Sequence, residues 1–218
     1  MQRSGTSITF HSLSKLFGVK NYNEFSDLTI KGDEQLRFPS FVEVNKIIKK
    51  NLHPYIINKP LVESQIADII LKNFNHSKGI WMYRDYKDVV NSFLKKFGSN
   101  TGHHHLKLII EKRHDNWRAE RVPEHLRKLA ASFYEIDVSN EDAAALYWYI
   151  RNSIYFEYNF DKIKNLKLIK YEYFMNNPHL SISKICELWN YYYDIDFSKF
   201  HFKSDSINKG QKLKLNPE

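Results

Sequence analysis

Along most of this chain, short apolar runs alternate with segments whose apolar residues recur at helical spacing, and few folds accommodate that order. Gly79 to Tyr83 reads as a buried strand, and Tyr86 to Phe97 as the helix behind it. Tyr55-Ile56-Ile57 is a second short apolar run, followed by a helical pattern from Leu61 to Phe74. Leu166 to Tyr171 is the next strand candidate. Pro178 to Tyr193 follows it as a helix, with proline suited to the first turn. Strand, short loop and helix in repetition specify a parallel sheet covered by helices. The expected class is therefore α/β, and helix-rich. Further helices are expected over Ile8 to Phe17, ending at Gly18, over Phe41 to Leu52, and over Glu141 to Tyr158. Two more, broken near Pro123, are expected within 106–135. Residues 19–38 read as mixed and polar, with turn signals around Lys31-Gly32-Asp33, and residues 98–105 and 203–218 read as loops.

A length of 218 residues suits one sizeable α/β domain, or at most two small ones. With 42% apolar and 15% aromatic residues the chain can build a packed core, which excludes general disorder. The net charge of +8 favours anionic partners: nucleic acid, membrane headgroups, acidic glycans or a highly charged nucleotide. Cys186 is the one cysteine, so no internal disulfide forms, which suits a reducing compartment. It reads as a buried small hydrophobe. No signal peptide is evident and no apolar run is long enough to span a membrane, so a cytoplasmic location is expected.

Arg3-Ser4-Gly5-Thr6-Ser7 precedes the first helical stretch. A basic residue, a glycine and three hydroxyls before a helix N-terminus make an anion cradle. Glycine admits a close ligand, and the unpaired N–H groups of the first turn hold phosphate or sulfate. The segment lacks the Gly-Lys-Ser/Thr ending of a nucleotide P-loop, which points away from ATP and GTP. A second cradle is legible after the strand 79–83. That strand delivers Arg84 to its carboxyl end, where open α/β sheets bind ligands. Ser92, eight residues on, lies about two helical turns away, and Lys96 one turn beyond. Arg84 and Ser92 could grip a second phosphate. His103-His104-His105 could bind metal, but no carboxylate or cysteine spacing accompanies them, and they read as a solvated loop. The aromatics between Leu146 and Tyr158 read as core, with an acceptor-pocket lining as the alternative.

These residues resemble a family: sulfotransferases that use 3′-phosphoadenosine 5′-phosphosulfate (PAPS). The family has an Arg/Lys-Ser-Gly-Thr-Thr/Ser loop for the 5′-phosphosulfate. It also has a strand ending in Arg-Asp-Pro, with a serine eight residues after the arginine, for the 3′-phosphate. Asn58-Lys59-Pro60 is similar to the family's lysine segment, Lys170-Tyr171-Glu172-Tyr173-Phe174 with Asn177-Pro178 to its Tyr-Glu-Asp-Leu…Asp-Pro segment, and Ser204 to Gly210 to its late closing loop. Tyr86 stands where the family has proline or glycine. The resemblance implies a three-layer α/β/α sandwich with a central parallel sheet, related to P-loop nucleotidases, over one domain, 1–218. The family's central strand precedes the loop, and its C-terminus continues into a helix. Met1 and Gln2 precede Arg3, and Asn216-Pro217-Glu218 end the chain, so a domain shortened at both ends is expected.

The resemblance further implies transfer of a sulfuryl group from PAPS to an acceptor hydroxyl, on a carbohydrate, lipid, small molecule or protein side chain. The desulfated nucleotide, PAP, is the product, and no metal is required. Arg3, Ser4, Gly5, Thr6 and Ser7 would hold the 5′-phosphosulfate. Lys59 would neutralise charge on the bridging oxygen. Arg84, Ser92, Lys96, Ser206 and Lys209 would hold the 3′-phosphate, with Tyr171 against the nucleotide. Glu24 is the candidate base, with Glu34 and His53 as rivals. A P-loop kinase-like phosphotransferase and an inactive nucleotide-binding relative are the alternatives. Nucleic acid is not an expected partner, because no recognised motif accompanies the charge.

Overall fold

The computed structural model describes residues 2–33, 35–134, 138–202, 206–213 and 215. The first half runs α1 (Thr6–Leu13), β1 (Val19–Tyr22), α2 (Phe41–Lys49), β2 (Tyr55–Asn58), α3 (Ala67–Asn73), β3 (Gly79–Tyr83) and α4 (Tyr86–Phe97). The second half runs α5 (Thr101–Ile110), α6 (Glu124–Tyr134), α7 (Asn140–Glu157), β4 (Leu166–Lys170), α8 (Tyr171–Asn176) and α9 (Pro178–Leu188). The chain is α/β in character. No helix among the described residues is long and apolar enough to cross a membrane.

All strand pairing is parallel. β1 pairs with β2, with Tyr22 opposite Asn58; β3 pairs with β4, with Tyr83 opposite Lys170. The strands thus form two two-stranded sheets among the described residues, where one continuous central sheet is expected from the sequence. β2 and β3 are not paired with each other. They meet instead through side chains: Phe10 and Leu13 of α1, Ile57 of β2 and Met82 of β3 share one core with Phe174 of α8 and Ile182 and Ile185 of α9. A second core lies among helices α4 to α7, built on Val90, Phe93, Leu106, Ile109, Tyr147 and Ile150.

Three local expectations need correction. β1 is a strand inside the mixed, polar stretch 19–38, where no strand is expected; its four residues are held by the ladder to β2. The histidine segment belongs to α5, not to a loop. The helix starts after Asn100 because Leu106, Leu108 and Ile109 bury one face, and His105 joins that face beside Phe93 and Tyr147. Burial lowers the His105 pKa to about 2, so it stays neutral in the core. The helix expected from Leu61 is confined to α3, preceded by a short 3₁₀ turn over Ser64–Ile66. The aromatic stretch of α7 is divided: Tyr147 and Tyr155 are buried in the core, while Tyr149 and Phe156 are exposed. Cys186 is buried as well, and burial pushes its thiol up to about 11, so it holds no accessible thiolate near neutral pH.

A polar seam fixes the segment that follows β2. Arg151 of α7 is buried and donates to Gln65 Oε1 at 2.9 Å and to Ser64 Oγ at 3.3 Å. Glu63, also buried, accepts from the Arg37 guanidinium and from the Phe38 N–H, both at 2.9 Å. The loop between β1 and α2 is therefore tied to the segment just beyond β2 by a charge-assisted pair.

Candidate functional site

Parallel pairing sends the carboxyl ends of two neighbouring strands the same way. The β3–β4 register therefore brings out Arg84 and Tyr171 side by side, and the guanidinium lies over the Tyr171 ring at 4.5 Å. The β1–β2 register does the same for Glu24 and Lys59, which form an ion pair at 2.8 Å. Between these two corners lies the loop Arg3–Ser7. Lys59 Nζ also donates to Ser7 Oγ at 3.1 Å.

The loop turns tightly enough to need its glycine. Gly5 has φ +96°, and a Cβ there would sit 2.1 Å from the Tyr171 ring. As N-cap of α1 it contributes no side chain, and no acidic residue stands in the first turn. The first helical bond is Thr9 N–H to the Gly5 carbonyl at 3.2 Å. The N–H groups of residues 6 to 8 therefore lie at an uncapped positive helix end, with no intrahelical partner.

One cleft of about 540 Å³ gathers most of the residues singled out from sequence. Arg3, Gly5, Thr6 and Ser7 line it from the loop. Arg84, Ser92 and Lys96 line it from the β3–α4 corner, and Tyr171, Ser206 and Lys209 from the C-terminal half. Ser4 does not line it: its side chain is fully buried beneath the loop, with an unpartnered Oγ. Five cations, Arg3, Arg84, Lys95, Lys96 and Lys209, face one carboxylate, Asp88, among the described lining residues. The excess positive charge suits a ligand with more than one anionic group.

Hydrogen bonds knit this wall together. Arg3 Nε donates to Ser92 Oγ at 2.9 Å. Arg84 donates to the Arg3 carbonyl at 3.3 Å and the Ser206 carbonyl at 2.5 Å, and stands 3.4 Å from Asp88 Oδ2. Its Nε is buried and has no partner among the described residues. Tyr171 and Ser206 share a hydroxyl–hydroxyl bond of 2.7 Å. Glu172, at the start of α8, accepts from the Asp85 N–H at 2.9 Å and so pins the β3–α4 corner to α8.

Lys59 and Glu24 sit just beyond Ser7, beside the cleft rather than in its lining. His53 is not with them. It precedes β2 while Lys59 follows it, so a four-residue strand separates the two, and its ring is tied to Asn51 at 2.8 Å. Glu34, the other rival base, lies outside the described residues, as do Ser204 and Asp205 of the late loop. The described residues contain no group of three His, Cys, Asp or Glu side chains that could hold a metal ion. Sequence reasoning gave no role to Asp88, Asn91 and Lys95 in the cleft or to Glu172 at the β3–α4 corner beside it. Asp88 carried a usable signal: an acid one helical turn after an arginine at a strand end.

Comparison of the chain with protein-family models, with curated proteins and with solved structures found no match.

Proposed function

We propose that this chain is a sulfotransferase that moves a sulfuryl group from PAPS to an acceptor hydroxyl. The observation that carries the reading is a single cleft whose lining gathers two sets of anion-binding groups. One is the uncapped start of α1 with Arg3; the other is Arg84, Ser92, Lys96 and Lys209. The Lys59–Glu24 pair stands against Ser7, next to the first cradle. Two cradles suit a nucleotide with phosphates on both its 5′ and 3′ oxygens. The donor set supports the fit: an unpartnered buried Arg84 Nε, an uncapped helix end, and a volume in the range of ordinary ligand sites. In the same reading the two parallel pairs belong to one three-layer α/β/α architecture, since the carboxyl ends of all four strands reach the same loop region.

The residues then divide the work. The α1 N-terminus and Arg3 hold the 5′-phosphosulfate, with Thr6 and Ser7 adding hydroxyl donors. Arg84, Ser92, Lys96 and Lys209 hold the 3′-phosphate. Lys59 turns from Glu24 to the bridging oxygen as negative charge grows there. The acceptor oxygen forms its bond to sulfur while the sulfur–oxygen bond to PAP breaks, and the acceptor proton passes to Glu24. The acceptor is a hydroxyl-bearing molecule, with a carbohydrate as the favoured class.

Transfer of labelled sulfate from PAPS to a panel of sugars, phenols and peptides tests the reading. Glu24→Gln is expected to lower turnover by about 10²–10⁴-fold, with PAP affinity unchanged. Near-normal turnover in that variant removes Glu24 from the role of base. An inactive relative that keeps the nucleotide would bind PAP and transfer nothing.

A further inference from the structure

A carboxylate on the wall of an anion cleft calls for an explanation, because its charge opposes the ligand. Asp88 is such a group: it lines the cleft and is 3% exposed. Its two oxygens are committed. Oδ1 accepts from the Gly210 N–H at 2.7 Å, and Oδ2 accepts from the Asn208 N–H at 2.9 Å. Oδ2 also stands 3.4 Å from the Arg84 guanidinium. The turn 208–210 therefore wraps one carboxylate, and Lys209, between the two donors, lines the cleft. Asn91, one turn from Lys87 on α4, secures the same turn by donating to the Lys209 carbonyl at 3.0 Å. Gly210 allows the close fit: a Cβ there would lie 2.1 Å from the Lys87 carbonyl oxygen.

We infer that Asp88 is a specificity-determining positioning residue: it latches the turn 208–210 onto α4, and so sets Lys209 and Arg84 for recognition of the nucleotide's 3′-phosphate. The inference rests on the PAPS reading above and deepens it. Asp88 touches no reacting atom. It acts through two backbone N–H groups and one guanidinium, which also offset its charge.

Simple electrostatics and the latch give opposite signs for Asp88→Asn. Removing a negative charge from an anion site should tighten binding of a phosphate-rich ligand. An asparagine amide, however, turns an NH₂ towards one of the two loop donors and frees the turn. Titration calorimetry with PAP and with adenosine 5′-monophosphate, without magnesium, separates these cases. The latch requires Asp88→Asn to weaken PAP by about tenfold while leaving the monophosphate within about twofold, so that selectivity for the 3′-phosphate collapses. Gly210→Ala, which leaves the carboxylate intact, is expected to do the same by expelling the turn. Retained monophosphate binding in either variant shows that the fold is intact. Unchanged or tighter PAP binding in Asp88→Asn, or an equal loss for both ligands in both variants, overturns the latch. A wild-type protein that fails to prefer PAP over the monophosphate overturns the PAPS reading itself, and the latch with it.

Discussion

Arg84→Ala is expected to weaken PAP binding about a hundredfold, near 3 kcal/mol. Arg84 is buried, is the hub of the cleft wall, and bonds the Arg3 and Ser206 carbonyls, both from segments that line the cleft. Its charge lies over Tyr171, and its buried Nε has no partner among the described residues. Alanine removes the planar fork and the cation together. Arg84→Lys restores a point charge but not the fork, so it should recover part of the loss at most. Titration with PAP measures both variants. Affinity within threefold of wild type in Arg84→Ala would place the 3′-phosphate elsewhere.

Lys59→Ala is expected to lower the rate of sulfate transfer by about 10²–10³-fold while leaving PAP affinity nearly unchanged. The reason is position. Lys59 reaches Ser7 Oγ at 3.1 Å and Glu24 at 2.8 Å, beside the first cradle but outside the cleft lining. Under the proposed function, a cation there would serve charge that appears during transfer more than charge already present on the bound nucleotide. The variant also leaves Glu24 without its ion-pair partner, so its effect should not add to that of Glu24→Gln. Single-turnover kinetics with saturating PAPS reads the rate, and PAP titration reads the affinity. A loss confined to affinity would make Lys59 a binding group only.

Local signals carried the elements whose causes are local. β3 spans the apolar run Gly79–Tyr83, and α4 spans Tyr86–Phe97, because the Asp85 side chain caps that helix on the Lys87 N–H and Gly98 closes it. The first cradle was legible for the same reason: loop, glycine and helix start are contiguous. β1 was not legible, since Val19-Lys20-Asn21-Tyr22 has only one buried side chain and owes its strand to β2. α5 was hidden by three consecutive histidines, of which only His105 is buried, against Phe93 of α4 and Tyr147 of α7. What Asp88 holds was hidden by distance along the chain. Its partners Asn208 and Gly210 lie at separations of 120 and 122 residues, and nothing near Asp88 in sequence announces them. Lys59 and Glu24 were each nameable, but their meeting depends on the parallel register of β1 and β2.

The most direct measurement is the thermal shift of the wild-type chain with PAP in the presence of EDTA, set against adenosine 5′-monophosphate and ATP with magnesium. PAP at about a hundred times its dissociation constant should add roughly 2.7 kcal/mol of stability, a rise in Tm of about 5–10 °C for a chain of this size. The monophosphate and ATP with magnesium should shift it far less. A rise with ATP and magnesium, and none with PAP, would contradict the two-cradle reading and favour a phosphotransferase.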